Sequence, residues 1–78
     1  MPRFPVDAPR AEVLRAFTAL GFRVVREREH IALERVRSEG GRDTMTIPNH
    51  STISAGTLRS ACRQGSISRE DFIAAYER

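Results

Sequence analysis

The stretch His30-Ile31-Ala32-Leu33-Glu34-Arg35-Val36, followed further on by Thr44-Met45-Thr46-Ile47-Pro48, decides the fold. In the first segment Ile31 and Leu33 alternate with His30, Ala32 and Glu34. In the second, Met45 and Ile47 alternate with Thr44 and Thr46. A period of two, apolar on one side and polar on the other, is the pattern of strands with one buried face. Residues 37–43, with Gly40-Gly41 inside them, read as the hairpin loop between the two strands. Pro48 closes the later strand, because it has no N–H for a sheet ladder. Alternation alone puts His30 on the polar, open face.

Working upstream, Glu27-Arg28-Glu29 reads as a tight charged turn, and 22–26 as a preceding strand. There Phe22 and Val24 alternate against Arg23, and Val25 makes the alternation imperfect. Val13, Leu14, Phe17 and Leu20 repeat at helical spacing, with Arg10, Glu12 and Arg15 largely outside the stripe. Asp7 is the expected N-cap, Pro9 lies in the first turn, and Gly21 suits the position just past the helix end. Residues 1–6, with Pro2 and Pro5, read as an extended arm.

Downstream, 49–54 reads as a loop. Ser54 or Thr57 caps a helix that runs to about Gln64, with Leu58, Ala61 and Cys62 inward, and Gly65 stops it. Ser68-Arg69-Glu70-Asp71 opens a last short helix with acids in its first turn, and Phe72, Ile73 and Tyr76 form its apolar face. The expectation is an α+β fold on one domain spanning 1–78: helix, three antiparallel strands, helix, short helix. The helices cover one sheet face and leave the other open.

With 78 residues, the chain buries only about 60% of its unfolded surface. That leaves little interior for a closed small-molecule pocket and favours a polymer lying across the surface. A hydrophobic fraction of 40% and a charged fraction of 29% exclude a disordered chain. The net charge of +3 tolerates a polyanion without requiring one. All 13 basic residues are arginine, whose planar fork matches phosphate oxygens two at a time. The codon usage of a GC-rich genome is the plainer account, since lysine is missing everywhere in the chain. Cys62 stands alone, so no intrachain disulfide forms. No apolar run reaches the roughly 18 residues of a membrane span, and the first residues carry no signal-peptide pattern. The expected compartment is the cytoplasm.

The side chains able to do chemistry are few. His30 and His50 are the only histidines, and with one cysteine a structural zinc site of Cys and His is out of reach. Glu27, Glu29, Glu34 and Asp43 show no metal-ligand spacing, and Cys62 on an inward stripe suits a small buried hydrophobe. No Gly-rich phosphate loop follows a strand, so nucleotide hydrolysis has no support. No cofactor or metal is implied. Histidine acid–base chemistry remains. RNA is a polymer for which it suffices, because the 2′-OH is a nucleophile already tethered beside the phosphate. Arg26 and Arg28 flank His30 in the hairpin and Arg35 follows on the same strand, as candidate phosphate contacts. The plainer alternative is a solvated hairpin in which these arginines pair with Glu27 and Glu29, and His30 is incidental.

The carboxyl half narrows this choice. Thr46-Ile47-Pro48-Asn49-His50 is followed by Gly56-Thr57-Leu58-Arg59, then by Gln64-Gly65-Ser66-Ile67-Ser68-Arg69-Glu70-Asp71-Phe72. With Gly21-Phe22 and Val25-Arg26 upstream, this order and spacing resembles the HicA (YcfA-like) family of toxins from bacterial toxin–antitoxin pairs, from about Val13 to Phe72. The resemblance implies a fold similar to double-stranded-RNA-binding domains, metal-independent cleavage of mRNA, and inhibition by a HicB-type antitoxin. It puts the family's catalytic histidine on His30 and its Val-Pro-x-His histidine on His50, an auxiliary catalytic group or a structural one. Where the family has Gly-Ser-His, this chain has Arg28-Glu29-His30 in a turn one residue shorter.

Two other functions are compatible with the same residues. One is an RNA-binding module of this fold without catalysis. Of the aromatics on which single-stranded readers stack bases, the strands offer only Phe22, on the inward face, and the second long helix lacks the lysine cluster of double-stranded-RNA readers. The other is a domain whose open face docks only an antitoxin.

Overall fold

The computed structural model describes residues 3–78. The elements are β1 (Ala8–Pro9), α1 (Arg10–Ala19), β2 (Arg23–Glu27), β3 (His30–Val36), β4 (Arg42–Pro48), β5 (Thr52–Ile53), α2 (Ala55–Gln64) and α3 (Arg69–Glu77). β2, β3 and β4 form an antiparallel sheet in that order, and β1 pairs antiparallel with β5 in a separate two-stranded ribbon. The fold class is α+β, as the alternation and the helical stripes imply.

The β3–β4 register follows the side-chain alternation. Ile31 lies opposite Ile47 and Leu33 opposite Met45, all buried. They join Val13, Ala16 and Phe17 of α1, Leu58, Ala61 and Cys62 of α2, and Phe72 of α3 in one hydrophobic core. His30, Ala32 and Glu34 point the other way, opposite Pro48, Thr46 and Thr44. Both strands therefore bury one face against helices and leave the second uncovered.

Helix termini follow their local chemistry. After α1, Gly21 takes φ +97°. The Gly21 N–H donates to the Thr18 carbonyl, and the Phe22 N–H to the Phe17 carbonyl, each at 3.0 Å. This is the Schellman closure, and its usual apolar contact is present: the Phe17 and Phe22 rings meet edge to face at 6.1 Å. Ser54 Oγ accepts from the Thr57 N–H at the start of α2, and Ser68 Oγ from the Asp71 N–H at the start of α3.

Several local expectations are corrected. Asp7 is not the cap of α1. It adopts φ 53°, and Pro9 holds the N-cap position without a side-chain bond. The chain ahead of α1 instead pairs as β1 with Thr52–Ile53, inside the stretch read as a loop. Ala8 and Ile53 are buried by that pairing. The arm is not free at Phe4, whose ring packs 5.8 Å from that of Phe72; positions 1–2 lie outside the described residues.

The strand expected at 22–26 is Arg23–Glu27. Phe22 is buried just ahead of it, and Val24 is 41% exposed rather than inward. A bulge lies between Val24 and Arg26, so Arg23 faces Glu34 and Arg26 faces Ala32. The extra residue re-aims the strand and puts both arginines on the open face. Gly65 ends α2, but at φ −88° it needs no glycine conformation. The left-handed residue is Ser66, φ 58°. What Gly65 supplies is space. A Cβ there would lie 2.7 Å from Met45 Cε and 3.0 Å from Phe22 Cζ.

Candidate active site

The open sheet face carries its charges unevenly. Toward the far end of β3, Glu34 accepts from Arg23 at 2.8 Å and from Arg42 at 3.0 Å. The Arg23 hydrogen bond, and after it the nearby charge of Arg42, hold the Glu34 carboxyl below its ordinary range. Both arginines are thus engaged by one shared carboxylate. At the other end, Arg26 and Arg28 form no ion pair with a carboxylate among the described residues. The solvated pairing with Glu27 and Glu29 is therefore absent.

At that end lies a cleft of about 310 Å³, lined by Arg26, Arg28, Glu29, His30, Ala32 and Thr46. His30 is exposed, at the first position of β3. The cleft continues along the sheet into a second of about 290 Å³, which shares Arg26, Ala32 and Thr46. The result is a shallow trough, suited to an extended ligand rather than an enclosed one.

The turn that presents His30 is tied down from outside the sheet. Asn49 follows Pro48, which pairs with His30. The Asn49 backbone N–H donates to the Glu29 carbonyl at 2.9 Å, and its Nδ2 to the Arg28 carbonyl at 2.8 Å. Its Oδ1 accepts from Arg10 Nη1 at 2.8 Å, at the start of α1. Asn49 thus locks the two residues before His30 to both β4 and α1. Nothing in the periodicity singled it out. In the sequence it stood only as the residue between Pro48 and His50 in the quoted motif.

Arg35, expected beside Arg26 and Arg28 as a phosphate contact, does not line this cleft. It shares the parity of Ile31 and Leu33 and lies on the covered side. There it donates to Asp43 from Nη2 at 2.9 Å and from Nε at 3.2 Å. It also donates to the carbonyls of Leu20 and Gly65, at 3.1 and 3.2 Å, just past the ends of α1 and α2. Its guanidinium lies 4.6 Å from the centre of the Phe22 ring. Arg35 is a structural cation that ties two helix ends to the sheet.

His50 is exposed and does not line the cleft, and its side chain makes no hydrogen bond among the described residues. The lead-in to α2 is held by Asn49 and Ser54 instead. Cys62 is buried, and burial pushes its thiol up to about 11, so it is no nucleophile at neutral pH. Among the described residues no group of three metal-ligating side chains comes together. No helix there is long and apolar enough to cross a membrane. The cleft therefore offers one exposed imidazole, able to exchange a proton with a ligand, beside two guanidiniums free to meet an anion.

No curated protein and no solved structure matches this chain. The family model of the HicA toxin of bacterial toxin-antitoxin matches residues 10–67. That span opens on the first residue of α1 and takes in the whole β2–β3–β4 sheet, the hairpin, Asn49 and α2. With most of the chain matched, cleft included, it belongs to the HicA family of toxins from toxin–antitoxin pairs.

Proposed function

We propose that this chain is a ribonuclease that cuts mRNA without a metal ion, with His30 as general acid or base, and that a HicB-type antitoxin protein restrains it. One observation carries the reading. The exposed His30 shares an open cleft with Arg26 and Arg28, which have no carboxylate partner. In the proposed step the ribose 2′-OH attacks the adjacent phosphorus and the bond to the 5′-oxygen breaks. The products are a 2′,3′-cyclic phosphate and a free 5′-hydroxyl. His30 takes the proton from the 2′-OH or gives one to the departing oxygen, and the open cleft lets water exchange the other. Arg26 and Arg28 stabilise the added negative charge on the phosphoryl oxygens. His50 and Arg35 take no part.

The test is His30→Ala. We expect cleavage and growth inhibition to disappear while thermal stability stays within about 0.5 kcal/mol of the parent, since the residue is exposed. A variant that cuts RNA as fast as the parent removes the mechanism. Glu29 favours a second reading. It brings a negative charge to the cleft where phosphate would approach, which suits a catalytically altered module that binds RNA or docks its antitoxin without cutting. Cleavage by the purified parent chain decides between the two.

A further inference from the structure

A second basic groove lies on a different part of the surface. It has a volume of about 250 Å³ and is lined by Arg3, Phe4, Val6, Ala55, Arg59 and Arg69. No carboxylate lines it. None of its three arginines forms an ion pair among the described residues. Elsewhere the chain pairs its arginines closely: Arg15 with Glu12, Arg23 and Arg42 with Glu34, Arg35 and Arg37 with Asp43. Arg10 is bonded to Asn49. Apart from Arg63 and Arg78, the arginines left over fall into two sets, Arg26 and Arg28 in the His30 cleft and Arg3, Arg59 and Arg69 here. Guanidiniums gathered without a counter-charge repel one another, unless an anion completes the site.

The groove also has a fixed wall. Arg69 lies 5.9 Å from the centre of the Phe4 ring, which packs against Phe72 in the core. Ala55 is the first residue of α2, whose first turn carries no acid, so that helix end adds positive potential nearby; at α3, where Arg69 comes first, Glu70 and Asp71 offset the same effect. The two basic sites are close along the chain. Pro48 pairs with His30, and Ala55 is seven residues later, so their Cα atoms lie at most about 25 Å apart. A short run of nucleotides covers that distance.

We infer that the Arg3–Arg59–Arg69 groove is a second phosphate-binding subsite for the RNA strand, gripping its backbone away from the cleft where His30 acts. This rests on the ribonuclease reading and extends it. The groove supplies affinity for long strands, and the cleft supplies the reaction. Forked donors from three separate segments suit the repeated oxygens of a phosphodiester chain.

The test compares Arg59→Ala/Arg69→Ala with its parent, both carrying His30→Ala so that the strand stays intact. Binding is followed by fluorescence anisotropy with single-stranded RNA of about 20 and about 2 nucleotides, the latter too short to span both sites, over a salt series, and in parallel with poly-glutamate of about 20 residues. Thermal melts check folding. We expect several-fold weaker binding of the long RNA, a salt slope smaller by about 1.4 for two lost contacts, and unchanged binding of the short RNA. An unchanged slope for the long RNA overturns the subsite and leaves the ribonuclease reading standing. No binding of either RNA by the parent overturns both. Loss of poly-glutamate binding with RNA binding intact shows that the groove takes an acidic protein segment, and the proposal fails.

Discussion

Arg35 and Asp43 face each other across the β3–β4 pair on the covered side of the sheet, 2.9 Å apart, with Asp43 only 5% exposed. Arg37 adds a second cation at 3.5 Å. The Arg35 hydrogen bond, more than the charge of Arg37, holds the Asp43 carboxyl below its ordinary value of 3.8. A carboxyl lowered by folding stabilises the folded chain at pH above its unfolded value, and that contribution is lost as pH falls through the folded value. Thermal melts should therefore show a loss of stability in acid, below about pH 4, that is smaller in Asp43→Asn. Arg35→Ala should cost about 3 kcal/mol, from its charge-assisted bonds to Asp43 and two helix-end carbonyls, or more than about 10 °C in Tm. Arg26→Ala should leave Tm nearly unchanged. Equal melting points for the two arginine variants would contradict the structural assignment of Arg35.

The α2 turn makes opposite predictions at neighbouring residues. Gly65→Ala leaves an allowed φ but drives a methyl group into Met45 and Phe22. Met45 Cε can swing aside, whereas the Phe22 ring is held by Phe17 and Arg35, so the substitution should cost about 1–3 kcal/mol. Ser66→Asn suits the left-handed φ better than serine while keeping a polar side chain for the Ser66 hydrogen bond to Asp43, and should stabilise by roughly 0.5 kcal/mol. Denaturant midpoints of the two variants, measured with unchanged m-values, check both signs.

Asn49 should behave as a positioning residue. Asn49→Ala removes its side-chain links to Arg28 and Arg10 but keeps the backbone bond to Glu29. We expect kcat for RNA cleavage to fall about tenfold or more with KM little changed, and stability to fall by about 1–2 kcal/mol. Asn49→Asp keeps the acceptor for Arg10 and loses the donor to Arg28. If activity depends on the turn, Asn49→Asp should lose most of what Asn49→Ala loses. Full activity in both variants would show that the turn holds its shape without Asn49.

Glu29 is the one acidic residue lining the cleft that Arg26, Arg28 and His30 share. Glu29→Gln should raise RNA affinity several-fold at low salt, with the gain shrinking as salt screens the charge. A drop in cleavage with affinity unchanged would instead make Glu29 part of the chemistry. Filter binding and single-turnover rates on one RNA separate the outcomes.

Local periodicity determined the sheet-and-helix part of the core, though not Ala8 and Ile53, which the β1–β5 pairing buries. The alternation through Ile31, Leu33, Met45 and Ile47, the helical stripe of Val13 and Phe17, and the serine caps at 54 and 68 are set by neighbours within a few residues. His30 on the open face belongs with them, because strand parity needs no distant information. The parity of position 35 was equally visible, but its nearness to His30 along the chain drew it into the site. The tertiary structure alone decided which charges are free. That depends on pairings between distant segments: β1 with β5, Arg10 with Asn49, Arg35 with Gly65 and Leu20. A guanidinium has the same chemistry wherever it stands in a sequence. Only the packed chain, by supplying or withholding a carboxylate or carbonyl within hydrogen-bond reach, separates Arg35, which holds the fold, from Arg26 and Arg28, which remain free to meet an anion.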